Sequence, residues 1–282
     1  MDQRIIDLYD EYTHAPLDRR TFLDRLTRLA GGTAAAFALL PVLENDYAKA
    51  QQVAEDDERL ATATGEFPGA TAPVIFYEAA PKTGAATGSV IVIHENRGLN
   101  PHIRDVTRRL ALEGFRAVAP DFLSPLGGTP ADEDKAREMI GALDAGQTLA
   151  NAVKAVEFAA ATGMKVGAVG FCWGGGLSGR LATAKSPLAA AVVYYGMPPA
   201  NEAVAAIEAP LLLHYAGQDT RINAAVPAFE AALKAAGKTY ESHTYEGVQH
   251  AFNNDSNAAR YDATAAVLAW GRTVAFLRAT LA

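Results

Sequence analysis

The chain contains one cysteine, Cys172, and its setting is chemically suggestive: Gly170-Phe171-Cys172-Trp173-Gly174-Gly175. An apolar, β-prone run from Lys165 ends at this G-x-C-x-G-G turn, and a helix-permissive stretch, Leu177 to Ala184, follows. That is the layout of a nucleophile elbow, a tight strand-to-helix turn that presents a side chain above a sheet. A nucleophile held at a strained backbone angle needs neighbours without a Cβ, so that strand and helix can close around it. The helix start aims free N–H groups and the positive end of its dipole at the thiol, favouring the thiolate. A lone cysteine is ordinarily a small buried hydrophobe, and a glycine turn after a strand also cradles dinucleotides. The second possibility fails on spacing: G-x-G-x-x-G is absent, and no acid stands about 20 residues on, where Ala191 to Tyr195 lie.

A catalytic reading of Cys172 needs partners in the order nucleophile, acid, histidine, each at the C-terminal end of a strand. Pro210-Leu211-Leu212-Leu213-His214-Tyr215-Ala216 reads as a strand closed by Gly217-Gln218-Asp219, which puts Asp219 where the acid belongs. A helical stretch and a strand from Thr239 to Tyr245 follow. His250 then lies in a loop after the last strand, the place of the base. Among the other histidines, His214 and His243 fall inside strand runs, His94 sits at a strand end, and His102 has no strand before it at triad position. His14 belongs to the amino-terminal segment. Packing or surface roles suffice for His214, His243 and His94. Glu246 and Asp255 remain alternative orienting acids, but both are close sequence neighbours of His250, and Asp219 is preferred by placement. With no second cysteine, no H-x-x-x-H and no C-x-x-C, neither a metal nor a cofactor is expected.

The elements that must carry these residues alternate. Strands are expected near Val74–Glu78, Ser89–His94, Arg116–Ala119, Val166–Gly170, Ala190–Tyr195, Leu211–Tyr215 and Tyr240–Tyr245. Helices are expected over Ile103–Glu113, Asp132–Ala142, Thr148–Ala160, Leu177–Ala184, Ala224–Ala236 and Ala258–Leu281. Ile103, Val106, Leu110 and Ala111 form one apolar stripe. Strand–helix alternation with apolar strands predicts an α/β fold with a mostly parallel central sheet flanked by helices. At 282 residues, half of them hydrophobic, the chain can bury a large core in one such domain. A net charge of −7 and the lack of a long basic run argue against a nucleic-acid partner. No uncharged apolar run reaches the roughly 20 residues of a membrane span.

From about Ala72 to the C-terminus the chain resembles the dienelactone hydrolase family, the cysteine branch of the α/β hydrolases. The likeness rests on His94-Glu95-Asn96-Arg97-Gly98-Leu99-Asn100, the Cys172 elbow, Gly217-Gln218-Asp219 and His250-Ala251-Phe252. It implies a Cys172–His250–Asp219 triad that hydrolyses a small-molecule ester or lactone. It also implies that Glu95 holds the resting thiol and helps to ionise it, as a nearby carboxylate can when desolvation brings the two pKa values together. The oxyanion hole is then expected from the backbone N–H groups of Asn96 and Trp173. Two arginines that grip the substrate carboxylate in the family have no counterpart here: the stretch after Pro120-Asp121 reads Phe122-Leu123-Ser124-Pro125, and Asn254 stands four residues after His250. Arg97, Arg221 and Arg260 are the remaining candidates, each expected as a solvated surface residue. A preference for neutral substrates follows.

Residues 1–65 read as an amino-terminal helical extension or a leader, and residues 66–282 as the catalytic domain. Asp18-Arg19-Arg20-Thr21-Phe22-Leu23 resembles a twin-arginine box, the uncharged run Leu29–Leu43 follows, and Ala48-Lys49-Ala50 resembles a cleavage site. Against export, Asp2, Asp7, Asp10 and Glu11 make the segment acidic. Ile5, Leu8, Tyr9 and Tyr12 share a helical face suited to packing on the hydrolase domain. A retained extension on a cytoplasmic protein is preferred, with periplasmic export as the alternative. The alternative to an enzyme is a non-catalytic small-molecule-binding or scaffolding protein on the same fold. Nothing in the sequence fixes the oligomeric state.

Overall fold

The computed structural model describes residues 1–15 and 17–282. Its centre is an eight-stranded sheet in the order β1-β2-β4-β3-β5-β6-β7-β8. The strands are β1 (Leu60–Phe67), β2 (Val74–Pro81), β3 (Ser89–Ile93), β4 (Arg116–Pro120), β5 (Val166–Phe171), β6 (Leu188–Tyr194), β7 (Leu211–Ala216) and β8 (Tyr240–Tyr245). β1 and β2 form an antiparallel pair, β2 lies antiparallel to β4, and every other pairing is parallel.

Parallel strands need crossovers, and the crossovers are helices that cover both faces. On β3, Val90 and Val92 face α5 (Pro101–Leu112) and α11 (Ala263–Leu281), through Ile103, Val106, Leu110, Leu277 and Leu281. The alternate residues Ile91 and Ile93 face the other way, onto α7 (Ala145–Ala160) and α8 (Trp173–Ala182). Two-residue alternation on the strand thus feeds two separate cores. A third core lies under α10 (Val226–Ala235), where Phe229 and Leu233 meet Val193, Leu211 and Leu213.

Two local features depart from the sequence-based expectation. β1 was not foreseen, because Leu-Ala-Thr-Ala-Thr-Gly-Glu-Phe carries large apolar side chains only at its two buried ends, as an edge strand can. It begins at Leu60, so the expected boundary after residue 65 falls inside a strand. The expected Ala224–Ala236 helix is present as α10, with Pro227 in its first turn, where the missing N–H costs nothing, and a short helix not foreseen, α9 (Thr220–Asn223), precedes it.

The amino-terminal segment is helical: α1 (Gln3–His14), α2 (Arg19–Ala30), α3 (Thr33–Leu43) and α4 (Tyr47–Ala50). Asp2 caps α1 by accepting from the Arg4 N–H, and Asp18 caps α2 by accepting from the Thr21 N–H. Ile5, Leu8, Tyr9 and Tyr12 are buried, but mainly against Phe22, Leu26, Leu40 and Leu43 of α2 and α3, in a core of their own. Polar bonds join this layer to the hydrolase body. Asn96 Nδ2 donates to the Thr13 carbonyl at 2.7 Å, the Asp46 N–H to Ser256 O at 2.7 Å, and Asn257 Nδ2 to Leu43 O at 2.5 Å. Tyr12 also bonds to Asp134, at the start of α6 (Glu133–Gly141). Among the described residues no single helix is long and apolar enough to cross a membrane.

Candidate active site

Cys172 sits between β5 and α8 with φ 54° and ψ −113°. The neighbouring glycines are required: a Cβ on Gly170 would lie 2.0 Å from Gly174 O, and one on Gly174 would lie 2.4 Å from Ile93 O. The other non-glycine residues with positive φ among those described are Tyr195 (41°) and Ala251 (64°), which directly follow β6 and His250. Backbone strain of this kind, of order 1–3 kcal/mol per residue, persists only where surrounding structure holds it. Here it is confined to the residues around one thiol.

His250 meets the acid preferred from the sequence. Its Nδ1 lies 2.5 Å from Asp219 Oδ2, while Asp219 Oδ1 accepts from the Ile222 N–H at 3.1 Å. The alternatives are elsewhere: Glu246 is exposed, and Asp255 pairs with His102 at 3.2 Å and with Arg109 at 2.7 Å. Burial opposes ionisation of Asp219, but the bond to His250 and the imidazolium charge outweigh it and hold the carboxyl below its ordinary value. For His250, burial likewise disfavours the charge, yet the charge that the adjacent sulfur carries when ionised, together with the bond to Asp219, outweighs it and raises the imidazole above its usual value. Its Nε2 has no hydrogen-bond partner among the described residues and is buried.

The residue touching the thiol was not on the sequence-based list. His14, at the end of α1, places Nε2 3.2 Å from Cys172 Sγ. Its Nδ1 is 2.9 Å from the Asp10 carbonyl oxygen and 3.1 Å from Asp10 Oδ1. The His14 and His250 rings meet edge-on, 4.6 Å between centroids. Its place in the amino-terminal segment set it aside in the sequence, and the fold brings it to the thiol. The expectation of no metal site rested on sequence spacing, and His14, Cys172 and His250 nonetheless bring three ligand-type atoms within 4.8 Å of one another. They come from segments too far apart in the chain for any spacing pattern to connect.

Glu95 is buried at the end of β3, but its oxygens are taken by other groups: Oε2 accepts from Asn254 Nδ2 at 2.7 Å and Oε1 from the Tyr195 hydroxyl at 3.4 Å. Asn254, at one of the two arginine-less positions, thus serves the carboxylate of Glu95. Asn96 and Trp173 flank the thiol from the β3 loop and the first turn of α8, whose leading N–H groups have no partner within the helix. The Trp173 ring stacks on His94 (5.3 Å, 10°), which gives that buried histidine a packing role. Two of the candidate arginines are not solvated. Arg97 is 5 % exposed and donates to Glu133 O at 3.0 Å, and Arg260 is 8 % exposed and lies 3.5 Å from Asp10. The amino-terminal helices cover both. Arg221 lies at the edge, 3.9 Å from the same aspartate.

Cys172 and His250 open onto a cavity of about 910 Å³. Its walls include Trp173, Gly176 and Arg180 along α8, and Thr13 to Ala15 at the end of α1.

These features can be set beside known proteins. The profile of the dienelactone hydrolase family matches residues 75–281. The chain belongs to the dienelactone hydrolase family. It is an α/β hydrolase of the class that acts on ester or lactone bonds. A candidate carboxymethylenebutenolidase of Saccharolobus solfataricus is 34% identical over 229 residues, covering 67% of this chain and 88% of that protein. One from Methylorubrum extorquens is 30% identical over 274 residues, covering 91% and 93%. The crystal structure of a candidate dienelactone hydrolase from Klebsiella pneumoniae superposes with a TM-score of 0.70 at 30% identity, covering 77% of this chain and 97% of that one. A separate profile, described as YqhI-like, matches residues 1–31, the segment that delivers His14.

Proposed function

We propose that the protein hydrolyses a small-molecule ester or lactone through a thioester on Cys172, with His250 as acid–base and Asp219 as its orienting partner. The observation that carries the reading is the Asp219–His250 pair beside a thiol held in a strained elbow. Thiolate attacks the carbonyl carbon, and the resulting oxyanion is received by the N–H groups of Asn96 and Trp173. Loss of one such donor typically costs about 3 kcal/mol of transition-state stabilisation. The C–O bond breaks as an imidazolium gives its proton to the departing alkoxide. Neutral His250 then takes a proton from the water that attacks the thioester, and the C–S bond breaks to release acid and thiolate. Asp219, bonded to Nδ1, keeps Nε2 aimed at the reacting groups. A binding protein on the same fold would gain nothing from a strained thiol flanked by imidazoles.

Glu95 enters as a buried negative charge near the site, held by Asn254 and Tyr195, that biases proton occupancy on the thiol. The amino-terminal helices are read as a retained layer, because their backbone and side chains bond to the β3 loop and to residues 256–259. The test is alkylation: iodoacetamide should modify Cys172 and abolish turnover of p-nitrophenyl esters or simple lactones, and Cys172→Ala should be inert. Full turnover in Cys172→Ala would remove the mechanism.

A further inference from the structure

We propose that the amino-terminal helix is part of the catalytic centre, with Asp10–His14 acting as a second imidazole–carboxylate pair that takes the proton of Cys172 and holds the resting thiolate. The inference rests on the thioester reading above and adds a catalytic residue to it.

Each imidazole has an aspartate at its Nδ1, but the two are held differently. Asp219 Oδ2 bonds to His250 Nδ1, whereas His14 Nδ1 bonds to the Asp10 carbonyl oxygen at 2.9 Å and meets the Thr13 hydroxyl at 3.0 Å, with the Asp10 carboxylate 3.1 Å away as a charge contact. With Nδ1 so engaged, the neutral ring of His14 presents its Nε2 lone pair to Sγ at 3.2 Å, within the range of a sulfur hydrogen bond. The i, i+4 spacing of Asp10 and His14 on one helix makes this arrangement local to α1. Tertiary bonds then set the helix on the site: Asn96, the residue read as an oxyanion donor, bonds through its side chain to Thr13 O, and Arg137 donates to Tyr12 O. The thiol contact comes from a helix seated on both sides by the hydrolase body.

Two bases give the site a division of labour. The thiol proton passes to His14 Nε2, the imidazole in contact with Sγ, leaving thiolate paired with that imidazolium. His250, whose hold on a proton the sulfur charge and Asp219 strengthen, is the base kept for the second half of the reaction. After the C–S bond forms, the His14 proton goes to the departing alkoxide. His250 takes the proton of the attacking water, and the expelled thiolate is left opposite the His250 imidazolium. Return of that proton to His14 through Sγ resets the site, and the sum is ester plus water giving acid plus alcohol. The charged groups facing the pair are Asp10, Arg260 and Arg221 behind His14, Asp219 behind His250, and Glu95 and Arg97 on the β3 loop. The one further carboxylate near the thiol among the described residues, Glu95, is engaged by Asn254 and Tyr195, and the group in direct contact with sulfur is His14.

The test is the pH profile of Cys172 alkylation in the full-length protein, with turnover measured in parallel. His14→Gln and His14→Ala should shift the profile to higher pH and slow alkylation at pH 6–7 by about tenfold, a shift of one unit being a factor of ten. Added imidazole should restore part of the rate in His14→Ala, which loss of packing alone would not allow. Circular dichroism and thermal melting report whether either variant is folded, and the glutamine keeps most of the side-chain volume if the alanine does not fold. Profiles that overlay the wild type, or variants that turn over substrate faster, would overturn the proposal; the faster outcome would make His14 a plug. Inert wild-type thiol, or activity in Cys172→Ala, would instead overturn the thioester reading itself.

Discussion

Two histidine–aspartate pairs converge on Cys172 from opposite ends of the chain, and they are built differently. Asp219 and His250 sit in loops after β7, which is buried along its whole length, and β8, the half-exposed edge strand paired with it. Asp10 and His14 sit on one helix that is outside the sheet and is docked by polar bonds. The first pair is itself buried and is anchored through β7 to the core of the sheet. The second is positioned by a layer whose own small core is separate. A centre assembled this way keeps its acid–base residue rigid and leaves the group nearest the sulfur on the more separable element. Loss or displacement of the amino-terminal layer would then tune the thiol without dismantling the fold.

The sharpest way to break this contrast is to neutralise each carboxylate in turn. Asp219→Asn should keep the fold and lower kcat by about 10⁴-fold, the penalty a wrong tautomer carries in a serine triad. Asp10→Asn should cost about tenfold, because the Asp10 carbonyl still accepts from Nδ1 and preserves the tautomer. Steady-state kinetics on one ester gives both numbers, and equal losses would mean that the two pairs are not divided as described. Stability provides a second handle. Asp219 is held below its ordinary value of 3.8, so its ionised form favours the folded state at pH values above about 3.8, and this contribution fades as pH falls through the lower folded value. Thermal melts of wild type and Asp219→Asn should therefore differ by a constant amount near neutrality and converge in acid.

The first pair was legible in the sequence and the second was not, for a physical reason. Cys172, Asp219 and His250 each follow an apolar strand run, and strand-end placement is a local property that a parallel α/β sheet converts directly into proximity. His14 approaches Cys172 across 158 residues of chain, and nothing local records that contact. The signal available was the Asp10-x-x-x-His14 spacing on a helix with one apolar face, which orients an imidazole but does not say toward what. The same covering layer explains the misjudged arginines: Arg97 and Arg260 look like surface residues until α1 and its neighbours bury them. β1 escaped notice because an edge strand buries few side chains. The central strands, whose apolar runs are unbroken, fell within about two residues of their expected limits.

Glu95 offers a smaller test of where the thiol's proton goes. If His14 is the contact partner, Glu95→Gln should change the alkylation profile of Cys172 by less than His14→Gln does, on the order of threefold in rate at pH 7, since its charge acts at a distance and is shared with Asn254 and Tyr195. A shift larger than that of His14→Gln would return the carboxylate to the role first expected of it.

The smallest expected effect concerns the substrate's far end. Neither arginine expected to grip a carboxylate beside the scissile bond is present, and Arg97 and Arg260 are buried with acids of the protein nearby, Glu133 and Asp134 for Arg97 and Asp10 for Arg260. Among the residues lining the cavity, however, Arg180 has no carboxylate partner among those described, and burial alone pulls its guanidinium below the usual value. It lies on the face of α8 that also carries Trp173 and Gly176, and at 1.5 Å per residue its backbone is about 12 Å along the helix from Cys172. The Arg180 side chain leans back toward Cys172 and covers part of that distance. This suits a carboxylate at the far end of a substrate better than one next to the scissile bond, so neutral compact substrates should be preferred over matched carboxylate-bearing ones. An extended ester with a terminal carboxylate can span the rest. A charged hydrogen bond is worth about 1.5–3 kcal/mol when buried, and at this half-exposed position a gain of about threefold to tenfold in kcat/KM is the reasonable expectation. Arg180→Gln should erase that gain for the extended substrate and leave a neutral ester of equal length unchanged. Equal losses on both would mean that Arg180 shapes the cavity wall and reads no charge.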